Sequence, residues 1–167
     1  MKKWLAPVVM VFMAFSMTTG VTVTSAEADV VKTRIALMKE LSGHNKKIRA
    51  YIKGHKSLKR EKRLGNHEDI EFIAIAIQDL AKRMHVHYKK GTSLKDVKGT
   101  RAKAEIWQNW SKFRASARNL GAWAKDIENA AKTGSKAKIM AAYNGFGKAT
   151  CGGCHKNFRG PKPKKKK

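Results

Sequence analysis

The sequence is poor in several things, and each shortage excludes something. Two cysteines in 167 residues cannot make a disulfide-rich scaffold or a four-cysteine zinc site. Three prolines and 13 glycines rule out collagen-like or low-complexity character. Acidic residues number 12 against 37 lysines and arginines, so the formal charge is +25. A charge of that size points to an acidic partner, an anionic membrane surface or nucleic acid, and says nothing of fold. No run alternates at the β period. No paired carboxylates, nucleophile–base arrangement or phosphate loop can be found, so no enzyme is expected. What is abundant is apolar material, 42% of the chain, enough for one domain with a core and too little for two.

The amino end reads as an export signal. Met1-Lys2-Lys3 is basic, an apolar run follows from Trp4 to about Met17, and Ala26-Glu27-Ala28 is an A-x-A cleavage pattern. The apolar part is shorter than the ~20 residues of a membrane span. Residues 1–28 are therefore expected to be removed, leaving 139 residues in the periplasm. Losing Lys2, Lys3 and Glu27 takes the charge from +25 to +24. Export argues against nucleic acid as the partner despite the basic balance.

The rest reads as four helices. Val30, Leu37, Leu41, Ile48 and Tyr51 form one stripe, with Arg34 and His44 in its gaps and Gly54 as a stop. Residues 53–66 read as a solvated basic connection. Ile70, Ile73, Ile77, Leu80 and Met84 alternate spacings of 3 and 4 in a second helix starting at Asn66 or His67 and ended by Gly91. Residues 91–104 form a second polar connection. A third helix is expected over 105–132, on Phe113, Ala117, Leu120, Ala124, Ile127 and Ala131, with Trp107, Trp110 and Trp123 as added bulk. A fourth is expected over 135–158, on Ile139, Ala142, Phe146 and Ala149. The short Gly134-Ser135 break makes the last two antiparallel neighbours. The fold class is all-α, an antiparallel up-down-up-down four-helix bundle over 29–159. Residues 160–167 form a basic tail expected to be disordered.

The chemistry sits in Cys151-Gly152-Gly153-Cys154-His155, a CxxCH attachment motif for c-type haem. Positions i, i+3 and i+4 share a helix face, so both sulfurs can reach the two vinyl groups of one porphyrin. His155 then supplies an imidazole to the iron. Other readings are weaker. A thioredoxin-like pair needs a βαβ setting. Zinc would need two more ligands, with His85 and His87 the obvious candidates. A disulfide across two residues closes a tiny loop.

These residues resemble one family. The stretch Thr150-Cys151-Gly152-Gly153-Cys154-His155-Lys156-Asn157-Phe158-Arg159 is similar to the carboxyl-terminal motif of the class II c-type cytochromes, the cytochromes c′. Arg34-Ile35-Ala36-Leu37-Met38-Lys39, Ser42-Gly43-His44, Ile48 with Lys53-Gly54, and Ala104-Glu105-Ile106-Trp107 resemble the family's first-helix pattern and its entry to helix three. Ile35 and Ala104 stand where the family often has Gln and Pro. The resemblance implies one covalent haem c, with Met38 at the distal face as a sixth ligand or as an apolar filler over open iron. With Met38 bound, the protein would be an electron carrier cycling Fe(III)/Fe(II). With the face open, it would bind NO or CO behind Met38 as a gate. The resemblance also suggests that Arg34 pairs with a haem propionate, that Arg159 lies near the proximal face, and that a homodimer is possible. The charge is expected to steer docking to an acidic redox partner or an anionic membrane surface.

Overall fold

A computed structural model describes residues 25–54 and 65–162. Most of the expected signal segment, the centre of the first connection and the end of the basic tail lie outside the described residues. Six α-helical segments follow one another: α1 (Ser25–Lys53), α2 (His67–Arg83), α3 (Glu105–Gln108), α4 (Trp110–Lys132), α5 (Lys136–Tyr143) and α6 (Gly153–Phe158). A 3-10 turn, Met84–His87, extends α2, and a π-helical turn, Gly147–Gly152, joins α5 to α6. There is no strand among the described residues, only an isolated bridge between Ala102 and Arg159.

The architecture is the expected four-helix bundle, its fourth member built from α5, the π turn and α6. Cross-helix contacts give the directions. Gln78 of α2 donates to Glu128 of α4, and Lys132 lies near Glu71, so these two helices run antiparallel. Tyr143 of α5 bonds Asn45, while Lys136 sits over the Tyr51 ring, so α5 runs antiparallel to α1.

Start signals are local. The Asn66 side chain accepts from Asp69 N, and the Ser135 side chain accepts from Lys138 N, each satisfying a free amide of a first turn. Gly54 and Gly134 carry positive φ (63° and 70°) just past α1 and α4, where a side chain would be strained.

The core follows the expected stripes with four corrections. Ile70, Ile73, Ile77, Leu80 and Met84 of α2 and its 3-10 extension are buried. So are Phe113, Ala117, Leu120, Ala124, Ile127 and Ala131 of α4. In α1, however, Val31 is buried and Val30 only half-buried. The third helix is not continuous, because Asn109 leaves the helical region between α3 and α4. The fourth breaks at Asn144-Gly145, where Gly145 has φ 80°. Its stripe then slips by one: Ala149 is exposed and Thr150 is buried. A π turn takes an extra residue per turn, which rotates every later position relative to a 3.6-residue count. Finally, the polar 91–104 connection lies partly in the interior, where Thr92, Ser93, Val97 and Ala102 are buried.

Candidate functional site

A cavity of about 770 Å³ opens between α1, α4 and the last turns of the chain. Its size falls in the range of small-molecule and cofactor pockets. Cys151 from the π turn and Cys154 and His155 from α6 line it together. The π turn brings the motif to this wall. Gly145 lets the chain turn out of α5, and Thr150 Oγ1 ties the turn to Phe146 O at 2.7 Å. Phe146, fully buried, packs against Trp123 and Tyr143 and anchors the turn in the core.

Opposite elements contribute the rest. Arg34, Met38 and Leu41 line the cavity from α1, and Met84, Ile106, Phe113, Leu120 and Phe158 give it an apolar body. Phe113 stacks on Trp110 and meets Tyr88 and Phe158 at ring distances of 4.6 and 5.4 Å, so the wall is rigid. Among the described residues no Asp or Glu lines the cavity, whereas Arg34, Lys39, Lys46, Arg101 and Arg159 do.

The electrostatics suit an imidazole ligand. Burial lowers the His155 pKa, and the nearby cations of Arg159 and Arg101 lower it further. A neutral ring, the form that binds a metal, is thereby favoured. Burial and the neighbouring Cys151 push the Cys154 thiol up to about 11. Cys151 and Cys154 both carry free, half-buried thiols. Zinc loses support, since no group of three His, Cys, Asp or Glu able to hold a metal occurs among the described residues. His85 faces a different surface groove.

Arg34 is buried, and its partners are a surprise. Its Nε donates to His87 O at 2.6 Å, Nη1 to Thr92 O at 3.0 Å, and Nη2 to Thr92 Oγ1. Its guanidinium lies 4.7 Å over the Tyr88 ring. Burial depresses the Arg34 pKa, and pushes the Tyr88 hydroxyl up to about 12. Trp107 Nε1 donates to Tyr88 O, so Tyr88 is held from two sides. Tyr88 and Thr92 escaped notice in the sequence because they lie past the end of any periodic stripe. Arg159 is exposed at the rim. Its backbone N donates to His155 O at 3.1 Å, closing the turn that carries the imidazole.

The donor set fits a covalently held haem: two thiols and an imidazole on one wall of an apolar cavity, a thioether on another, and cations in place of carboxylates at its edge. The comparisons agree. A family model described as Cytochrome C′ matches residues 29–159. A cytochrome c′ of Cereibacter sphaeroides is 43% identical over 72 residues, a stretch spanning 43% of this chain and 47% of that protein. A cytochrome c-556 of Agrobacterium tumefaciens is 30% identical over 132 residues, covering 79% of this chain and 98% of the relative. Among solved structures, a cytochrome c′ described as having an unusual ligand-controlled dimer dissociation aligns with TM-score 0.66 and 28% identity. That alignment covers 84% of this chain and all of the other.

Proposed function

Because this chain belongs to the cytochrome c′ family, whose members carry covalently bound haem c, we propose that it is a periplasmic carrier of single electrons. One observation carries the reading: Met38 of α1 and His155 of α6 line the same cavity. The haem supplies a one-electron Fe(III)/Fe(II) couple when bound. Cys151 and Cys154 would hold it through two thioethers. His155, kept neutral by burial and by Arg159 and Arg101, would offer its imidazole to the iron. Met38 would offer its thioether as a second ligand, which would favour the reduced state.

The remaining residues orient and shield. A guanidinium has five N–H donors. Three of those on Arg34 are spent on the 87–92 segment, leaving two for a propionate. Arg101 and Arg159 face an edge free of carboxylates and favour the same negative groups. The aromatic wall around Phe113 keeps water from the interior, which limits solvent rearrangement as charge changes.

A second reading has its own support. The related cytochrome c′ with ligand-controlled dimer dissociation favours a five-coordinate site in which Met38 only gates the distal face to NO or CO. Ligand entry would then loosen a homodimer. Absorption spectra of the haem-loaded protein, oxidised and reduced, test both. A sharp low-spin reduced spectrum that Met38→Ala abolishes supports electron transfer through a Met-ligated iron. A broad high-spin spectrum, indifferent to Met38→Ala and shifted by CO, overturns that reading and supports gas binding.

A further inference from the structure

A second concavity, of about 360 Å³, lies between α2 and α4. Its floor is Ala81, Ala117 and Gly121. A Cβ placed on Gly121 would lie only 3.7 Å from the Ala81 Cβ, so the two backbones approach closely here. Side chains of one carbon or none sink the floor. The longer side chains beside them become walls.

Those walls are cationic. Lys82 and His85 rise from the α2 side, Arg114 and Arg118 from α4, with Gln78 as a neutral polar neighbour. The spacing is helical. Arg114 and Arg118 are one turn apart, and so are Ala117 and Gly121, so cations and floor alternate along one edge of α4. Among the described residues no Asp or Glu lines the groove.

The pairing pattern sharpens the point. Among the described residues, some cations elsewhere on the same helices are matched, Arg83 with Asp79, and Lys125 and Lys132 with Glu128, while Lys112 of α4 is not. Lys82, Arg114 and Arg118 make no ion pair among the described residues. Three unmatched cations converging on one recess repel one another, and an anion placed among them relieves that repulsion. Two arginines present planar forks suited to phosphate oxygens.

We infer that the α2–α4 groove is a binding site for a compact polyanion bearing two or more phosphate groups. The charge density selects a multivalent ligand over a single carboxylate, because each added negative charge meets another fixed cation. The recess is at the small end of ligand pockets, which suits a few linked phosphates rather than a large molecule. The chemistry could come from a free phosphate chain or from phospholipid headgroups at a membrane surface. Ala117 also lines the larger cavity, so an occupant would sit one small side chain from it.

The test uses the haem-loaded full chain and two probes: inorganic triphosphate by titration calorimetry, and vesicles containing 30 mol% phosphatidylglycerol by sedimentation. The variant is Arg114→Gln/Arg118→Gln. Its control is Lys89→Gln/Lys90→Gln, which removes the same charge from an exposed turn. Each arginine supplies one fixed charge and one fork of donors to the anion. Losing two should weaken binding roughly tenfold or more, while the control changes it less than about twofold. Specific loss with triphosphate assigns a free phosphate chain, and specific loss with vesicles alone assigns a headgroup. Equal loss in variant and control, or undiminished binding in the variant, overturns the site and leaves only the general attraction of a +25 chain. Thermal unfolding of both variants, expected within 2 °C of wild type, separates a lost site from a lost fold.

Discussion

Arg34→Met is the sharpest test of how this bundle is held together. The side chain has 4% of its surface exposed and faces no carboxylate. Its stability comes from neutral partners: the carbonyls of His87 and Thr92, the Thr92 hydroxyl and the face of Tyr88. Methionine keeps much of the volume and removes every donor. Two buried carbonyls then lose a charged partner. A hydrogen bond to a charged group contributes about 1.5–3 kcal/mol, and stranding a buried acceptor costs about 1–3 kcal/mol. Against this stands the relief of no longer burying a guanidinium, several kcal/mol of opposite sign. The Tyr88 cation–π contact adds about 1–2 kcal/mol to the loss. The net expectation is a loss of about 2–4 kcal/mol, a large part of an ordinary domain's stability. Lysine at the same position keeps the charge but cannot span three acceptors, so Arg34→Lys should recover less than half. Guanidinium unfolding of the haem-loaded protein, followed by helical circular dichroism, measures both. If Arg34→Met costs under 1 kcal/mol, the clamp on residues 87–92 is not what secures α1.

Two further expectations rest on Glu128 and Gly145. Glu128 is buried and accepts from Lys125, Lys132 and Gln78, which hold its pKa down from 4.5 to about 2. A depressed folded pKa stabilises above the unfolded value, and that gain drains away as pH falls from about 4.5 towards 2. Glu128→Gln should cost about 1–2 kcal/mol at pH 7 and almost nothing near pH 2, measured by urea unfolding at both. An equal cost at the two pH values would remove Glu128 as an acid-sensitive link between α2 and α4. Gly145→Ala places a side chain at φ 80° and should lower Tm by about 3–6 °C through roughly 1 kcal/mol of backbone strain. An unchanged Tm in a calorimetric scan would mean that the α5 exit does not depend on the left-handed turn.

Much of this molecule was legible in one dimension. The α2 stripe of Ile70, Ile73, Ile77 and Leu80 and the α4 stripe from Phe113 to Ala131 are buried as their spacing requires, because a straight helix converts sequence period directly into a face. The start at Asn66 or His67, the stop at Gly54 and the Gly134-Ser135 break were also visible, since helix-end signals act over three or four residues. The fourth helix was misjudged in detail. Periodicity assumes a constant 3.6 residues per turn, and the π turn at 147–152 breaks that count, so Thr150 rather than Ala149 faces inward.

The sequence by itself carries the CxxCH motif proposed to attach the haem, because Cys151, Cys154 and His155 are neighbours in the chain and their spacing is local. It also determined the helical class and the cationic balance, which are sums over residues. Only the tertiary structure decided what Arg34 does for the fold. Its acceptors at His87 and Thr92 lie 53 and 58 residues away, and no local pattern encodes such a contact. The same holds for the cavity that joins Met38 to His155, and for the groove that gathers Lys82, Arg114 and Arg118. Convergence of side chains from separate helices depends on how those helices pack, and packing is settled by the whole core at once.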